Sequence, residues 1–162
     1  MTSPPEAVHL HQALLAAWDE FCARDAVLLR VGANERSTTH RLAMYLEPHF
    51  PGWHVDCEYN RLDANPKELP RCPKDPVPPT DLDARTVYPD IIVHKRRTQE
   101  NLLVIEVKKA TGGDEDADHC KLRHFTDPTG AYRYAWGLHL ILPKKPDGTL
   151  SPTWFKDGKR YG

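Results

Sequence analysis

Two apolar runs joined by a polar turn make up the stretch VYPDIIVHKRRTQENLLVIEVKK, which covers residues 87–109, and three charged residues stand out in these runs. Asp90 follows a proline where the first apolar run begins, and Glu106 and Lys108 stand two residues apart in the second run. Carboxylate oxygens suit hard divalent cations, and an ammonium beside them can neutralise charge or orient a water molecule. These residue types therefore predict a site for Mg²⁺ or Mn²⁺ with a lysine next to it.

The two apolar runs predict a β-hairpin whose turn centres on Thr98. Side chains alternate between the two faces of a strand, so Glu106 and Lys108 share one face. A turn at Thr98 sets Asp90 opposite Glu106, with their Cβ atoms about 5 Å apart. Two bare carboxylates at about that distance repel each other by about 3 kcal/mol at an effective dielectric of about 20. We therefore expect either solvent at an open edge or a cation between them.

A third carboxylate is expected from the helix predicted between about Asn34 and Leu46. Asn34 is a suitable N-cap, and Pro48 ends the pattern. The apolar stripe of this helix extends back through two threonines to Glu35, which places that side chain on the inward face. An inward carboxylate without a partner is costly, so Glu35 is expected to meet a metal ion, water or a cation near the sheet.

The remaining elements must position these groups. The pattern predicts one domain over residues 1–162, of the α/β class, with a central mixed β-sheet flanked by α-helices. A proline-rich segment at about 61–86 is expected to be an extended surface insertion. The other expected elements are helices at 4–24 and 114–125, a short apolar stretch at 27–31, strands at 53–59 and 132–142, and an edge strand at 153–156.

Composition narrows the class of protein. The 162 residues are 40% hydrophobic, and the net charge of −1 does not by itself indicate a nucleic-acid binder. No apolar run is long enough to span a membrane and no export signal is expected, which predicts a cytoplasmic protein. The four cysteines are expected to be free thiols, with a zinc site at His119, Cys120 and His124 as an alternative. The charge clusters, including the acidic run at 114–118, are expected to be solvated surface.

The combination of a helix glutamate, a Pro-Asp pair and Glu-Val-Lys resembles the PD-(D/E)xK nuclease superfamily. The motifs ANERSTTHRLAMYL, YPDIIV and LLVIEVKK are similar in layout to archaeal Holliday-junction resolvases, and the resemblance covers about residues 32–125. It implies a restriction-endonuclease-like fold and a metal-dependent endonuclease that hydrolyses phosphodiester bonds, in DNA rather than RNA. The proline-rich insertion and the near-neutral charge depart from the resolvase pattern.

The resemblance also implies roles for individual residues. Asp90 and Glu106 would bind Mg²⁺ or Mn²⁺ together with the Val107 carbonyl, while Glu35 would act directly or through water. Lys108 would assist the attacking water. Contacts with the phosphates of the nucleic acid would come from basic residues around this site, namely Arg36, Arg61, Lys109 and Lys121.

Each residue also has an ordinary structural explanation. Glu106 and Lys108 fit an amphipathic edge strand, Glu35 fits a helix-capping turn, and Asp90 fits the turn before a strand. Two alternatives to a DNA nuclease stay open: a catalytically silent nucleic-acid-binding or interaction module, which could be a subunit of a larger assembly, and a metal phosphohydrolase acting on free nucleotides. Because one compact site cuts one strand, double-strand cleavage would require a homodimer.

Overall fold

The structure is a computed structural model that describes residues 5–59, 68–70, 84–86, 89–110 and 115–162. These residues form three α-helices and eight β-strands, six of which make one mixed sheet. The predicted α/β class is therefore confirmed. No helix in the described ranges has the length and apolar character needed to cross a membrane.

Helix α1 spans Ala7–Arg30 and is longer than the sequence pattern predicts. The predicted apolar stretch at 27–31 is not separate, because the helix continues through a kink at Asp25 (φ −125°, ψ 19°). The carboxylate of Asp25 accepts hydrogen bonds from Arg41 and Tyr45, which ties the kink to the next helix. Val31 is the C-cap of the helix, and Gly32 follows it with a φ of +65°, a conformation that favours glycine.

Helix α2 spans Glu35–Leu46 and begins as predicted. The side chain of Asn34 accepts a hydrogen bond from the backbone N–H of Ser37 at 2.8 Å, which caps the helix. A short 3-10 helix, Glu47–His49, follows directly and contains Pro48. Glu35 is half-buried in the first turn, so the capping turn fixes where this carboxylate lies.

The six-stranded sheet has the order β1-β4-β5-β6-β7-β8. Its strands are β1 (His54–Cys57), β4 (Ile91–His94), β5 (Asn101–Lys109), β6 (Trp136–Leu142), β7 (Ser151–Lys156) and β8 (Lys159–Tyr161). Strands β5 and β6 are parallel, and all other neighbours are antiparallel. In the β4–β5 hairpin Ile92 pairs with Val104, which is the register that a turn centred on Thr98 predicts. Strand β7 lies inside the sheet because β8 covers it, so the predicted edge strand at 153–156 is wrong.

Helices cover both faces of this sheet. Helices α1 and α2 pack on one face, where their apolar side chains meet Ile91, Ile105 and Leu138 in the larger core. Helix α3 (Glu115–Thr126) packs on the other face, where Leu122 and Phe125 meet the second core. Glu106 and Lys108 belong to the α3 face, because the alternating residues Ile105 and Val107 point into the α1–α2 core.

The proline-rich segment lies mostly outside the described residues. Its described part contains two short strands, β2 (Glu68–Pro70) and β3 (Ala84–Thr86), which pair antiparallel as a separate small sheet. The prediction of an extended insertion is therefore tested only at these strands, where the backbone is paired.

The prediction of four free thiols is wrong at Cys120, which is disulfide-bonded, whereas Cys22 and Cys57 are free. A disulfide sulfur is not available as a thiolate ligand, which removes the alternative zinc site at this helix. The cytoplasmic location, inferred from the lack of an apolar membrane span and of an export signal, stays a prediction.

Candidate functional site

One end of the sheet gathers the predicted site residues. Strand β4 runs antiparallel to β5, so Asp90, just before β4, lies beside the carboxyl-terminal half of β5. The parallel strand β6 also ends there, because Lys109 pairs with Leu142. Strand β1 ends next to the start of β4, with Cys57 opposite Ile91. We call this the site end of the sheet.

Asp90 and Glu106 are the central carboxylates of this site end. Asp90 Oδ2 accepts a hydrogen bond from the backbone N–H of Val107 at 2.8 Å, which holds it against β5. Glu106 is only 4% exposed, and its Oε2 accepts a hydrogen bond from Lys121 Nζ at 3.0 Å. The hairpin therefore buries a carboxylate that a simple amphipathic edge strand would leave in solvent.

The surroundings of both carboxyl groups favour their neutral, protonated forms. Burial, and then the negative charge of Asp90, raises the pKa of Glu106 to about 8 despite the ammonium of Lys121. Burial, and then the negative charge of Glu35, raises the pKa of Asp90 to about 6 despite the Val107 hydrogen bond. A further cation at this position would favour both ionised forms.

Helix α3 contributes two charged residues to the same cluster. Asp118 is 3% exposed, and its Oδ1 lies 3.0 Å from Lys121 Nζ, so Lys121 bridges Asp118 and Glu106. Burial favours the neutral carboxyl of Asp118, but His139 and Lys121 outweigh it and lower its pKa to about 2. Lys108 Nζ lies 3.5 Å from Asp118 Oδ2, so both lysines are drawn to this carboxylate.

His139 completes the cluster from strand β6. It is 1% exposed and is the cross-strand neighbour of Glu106. Its Nε2 lies 3.3 Å from Asp118 Oδ2, in a geometry that makes no hydrogen bond, and neither ring nitrogen has a hydrogen-bond partner among the described residues. The ring of His119 packs against it edge-on, at 4.6 Å between centroids. The buried cluster thus spans β5, α3 and β6.

Glu35 reaches the site end from the opposite face of the sheet. It lines an open cavity of about 580 Å³ together with Asp90 and Glu58. Neither Glu106 nor Lys108 lines this cavity. The four predicted catalytic residues therefore form a chain in which Glu35 is close to Asp90 and Asp90 is close to Glu106, while Lys108 points to Asp118.

The residues predicted to contact phosphates are dispersed. Arg36 is exposed at the cavity and lies 3.1 Å from Glu58. Lys109 is half-buried and donates a hydrogen bond to the carbonyl of Ala33. Lys121 is inside the acidic cluster, with its side chain 18% exposed, so it is not the surface cation that the sequence predicts. Arg61 lies outside the described residues.

Asp118 and His139 were not predicted as site residues. The acidic run at 114–118 was expected to be solvated, yet Asp118 lies four residues before Leu122 and seven before Phe125, on the inward face of α3. That periodicity is the signal that separates Asp118 from its exposed neighbours. Nothing in the sequence places His139 next to Glu106, because that requires the parallel pairing of β5 with β6.

The carboxylate oxygens of the site end are ligands of the kind that a hard divalent cation prefers. Buried carboxylates with raised pKa values are the groups whose ionised form a cation stabilises. In the described ranges, however, no three His, Cys, Asp or Glu side chains are grouped closely enough to hold a metal ion as they stand. Lys121 also occupies Glu106 Oε2, so a metal ion at that oxygen would have to displace its ammonium.

Comparisons with known proteins do not assign the chain to a family. No protein-family model matches the chain, and neither the curated proteins nor the solved structures give a significant match.

Proposed function

We propose that this protein is a metal-dependent endonuclease that hydrolyses phosphodiester bonds in DNA. In this proposal the domain is restriction-endonuclease-like, and the site end carries a PD-(D/E)xK type of active site. The single observation that supports it most is the placement of half-buried Asp90 beside buried Glu106, where burial disfavours the ionised carboxylates unless a cation is bound. An ordinary core gains nothing from two such carboxylates.

Asp90, Glu106 and the Val107 carbonyl would hold Mg²⁺ or Mn²⁺, with Glu35 acting directly or through water. When bound, such an ion supplies Lewis-acid chemistry and neutralises charge that develops on the phosphate. The cavity between Glu35 and Asp90 gives a substrate phosphate access to the carboxylates from solvent. The carboxylates would position the attacking water, and no covalent intermediate with the protein is needed.

Two lysines could supply the ammonium group that assists the attack of water. Lys108 occupies the motif position, and Lys121 has its Nζ 3.0 Å from Glu106. When Lys121 releases Glu106, its ammonium stays within reach of the same end of the sheet through its second contact with Asp118. Either ammonium can orient water or neutralise the transferring phosphoryl group.

A catalytically silent nucleic-acid-binding or interaction module is the second candidate. It is favoured by one observation: Lys121 already gives Glu106 a cationic partner without any metal. Isothermal titration calorimetry separates the two, because the nuclease requires binding of Mg²⁺ or Mn²⁺ that Glu106→Gln weakens. Absence of binding at millimolar metal concentrations would favour the silent module.

The direct test is a cleavage panel of duplex, branched and single-stranded DNA and of RNA, with Mg²⁺ or Mn²⁺. We expect Asp90→Ala, Glu106→Ala and Lys108→Ala to abolish cleavage, with Lys121→Met included to identify the acting lysine. Glu20→Gln, an exposed carboxylate on α1, is the matched control and should cleave like the wild type. Unchanged cleavage by all three alanine variants would refute the proposed site.

Cleavage of both strands of a duplex would require two copies of this site. We therefore propose a homodimer, or a partner subunit, for any double-strand activity. Sedimentation velocity in the presence of a duplex tests this, and a strictly monomeric protein that cuts both strands at once would contradict it.

A further inference from the structure

Four basic residues surround the site end outside the acidic cluster. Lys109 ends β5, Lys144 and Lys145 follow β6, and Arg30 is the last residue of α1. Lys109 and Lys144 line one cavity of about 200 Å³, while Arg30, Lys144 and Lys145 line a neighbouring one of about 540 Å³. Because Lys144 belongs to both, these residues form one continuous surface, which we call the basic rim.

The rim cations differ from the lysines of the acidic cluster in their ion pairing. Within the described part of the chain none of the four forms an ion pair, whereas the lysines of the acidic cluster, Lys108 and Lys121, both do. Arg30, Lys144 and Lys145 are exposed, and Asp147 is the only carboxylate among the residues lining their cavity. The rim therefore presents a net positive surface.

The acidic cavity beside the basic rim carries charge of the opposite sign. It is lined by the carboxylates of Glu35, Glu58 and Asp90. Because Arg36 pairs, among the described residues, with Glu58 alone, the other two carboxylates repel an approaching phosphodiester until other groups hold the substrate. The rim's first cavity and the acidic cavity both lie against the first turns of α2, since Thr38 lines the former and Thr39 lines the latter. A polyanion held on the rim would have its next phosphates at the carboxylates.

We propose that the basic rim is the surface that binds the phosphate backbone of a nucleic acid and leads it to the acidic cavity. This inference rests on the proposed function and specifies how that site would capture a polymeric substrate. It assigns the contacts to Arg30, Lys144 and Lys145, none of which belongs to the set predicted from the sequence, with Lys109 at the junction to the site.

A second basic group on the molecule provides a matched control. Lys156, Lys159 and Arg160 are also exposed, but they lie at the opposite end of the sheet, where β6 begins and Phe155 pairs with Gly137. Replacing these three residues changes the net charge as much as replacing the three exposed rim residues. The control variant differs in the position of the lost charge and in losing the contact of Lys156 Nζ with the Trp136 ring at 4.7 Å.

The test is binding of a fluorescently labelled DNA duplex, measured by anisotropy in EDTA over a range of KCl concentrations. The wild type, the rim variant Arg30→Gln/Lys144→Gln/Lys145→Gln and the control variant Lys156→Gln/Lys159→Gln/Arg160→Gln are compared. Each phosphate contact contributes about 0.9 to the slope of log K against log salt, so the rim variant should lose about 2.7 of slope. The control variant should keep the wild-type slope.

Three results would refute the proposed role of the basic rim. They are an unchanged slope in the rim variant, an equal loss of slope in both variants, and no duplex binding by the wild type. Because the assay contains no metal, it is independent of cleavage. A protein that binds through the rim yet never cleaves DNA would refute the nuclease and leave the rim standing. DNA cleavage with the same kcat/KM in the wild type and the rim variant would refute the role of the rim and leave the proposed nuclease activity standing.

Discussion

Replacing Glu106 by glutamine keeps the shape of the buried side chain and removes its ability to ionise. The folded protein raises the pKa of this carboxyl from 4.5 to about 8, so it favours the protonated form. The contribution of such a group to the free energy of unfolding is fully present below its pKa in the unfolded chain. That contribution is lost as the pH rises through its pKa in the folded protein. We therefore expect Glu106→Gln to become increasingly more stable than the wild type between about pH 5 and about pH 9.

The size of the effect follows from the shift itself. At about 1.4 kcal/mol per pKa unit, the rise from 4.5 to about 8 amounts to about 5 kcal/mol once the pH exceeds both values. At pH 7 about 3 kcal/mol of this difference should already be present. Any constant effect of the lost charge on the Lys121 contact cancels, because the quantity compared is the change between two pH values.

The assay is urea unfolding followed by circular dichroism, with the free energy of unfolding of both proteins measured across this pH range. Glu20→Gln is the control, since it removes a carboxylate that is half-exposed on the surface of α1. Its difference from the wild type should stay flat. A flat difference for Glu106→Gln as well would refute the reasoning, because it would mean that the site end already neutralises this carboxylate.

Adding metal extends the same experiment. An ion that binds only the folded protein stabilises it by about 2.7 kcal/mol at a concentration of about 100 times its Kd. The wild type should gain this stability from Mn²⁺ most strongly at high pH, where Glu106 has to ionise. Glu106→Gln should gain little. Equal stabilisation of both proteins would place the metal elsewhere.

Three further predictions concern the elements that hold the site. Asn34→Ala removes the cap on Ser37 N–H and should cost about 1 kcal/mol of unfolding free energy in a urea titration, while Asn34→Asp should cost much less; equal losses would contradict the cap. Phe125→Ala empties a fully buried position and should cost about 3–5 kcal/mol, against less than about 1.5 kcal/mol for Phe125→Leu if the site repacks. Asp118→Asn leaves Lys121 without one of its two carboxylates and should cost about 3–5 kcal/mol at neutral pH. Because the pKa of Asp118 is lowered to about 2, this last difference should shrink as the pH falls from about 4 to about 2, and a difference independent of pH would contradict the ion pair.

The hairpin register could be predicted because two local patterns specify it together. The aliphatic alternation sets which face each side chain takes, and a turn centred on Thr98 gives the observed pairing from Ile91 to Val93. Nearer the turn the register shifts by one residue, so His94 pairs with Asn101, which the sequence did not predict. The pairing of Ile91 with Ile105 places Asp90 next to the position of Glu106, as expected from the sequence. The helix cap at Asn34 was predictable for the same reason, since it depends only on neighbouring residues.

The α3 side of the site could not be predicted, because it depends on contacts between distant segments. Lys121 meets Glu106 only because the chain crosses from β5 over α3 to the parallel strand β6. Periodicity places Asp118 inward but does not say which strand it faces. The kink at Asp25 is similar, since Arg41 and Tyr45 hold it from another helix.

The arrangement of charge at the site end also bears on the choice between a polymer and a free nucleotide as substrate. A phosphohydrolase for nucleotides needs the carboxylates and one nearby cation, and Lys121 with Lys108 would be sufficient for that. The basic rim has no role in such an enzyme, because it lies outside the acidic cavity and a mononucleotide does not extend along it. If the rim variant loses activity on plasmid DNA while hydrolysis of nucleotides stays absent in every variant, the substrate is a polymer. If nucleotides are hydrolysed and the rim variant hydrolyses them as fast as the wild type, the carboxylates serve a small substrate and the unpaired cations require another explanation.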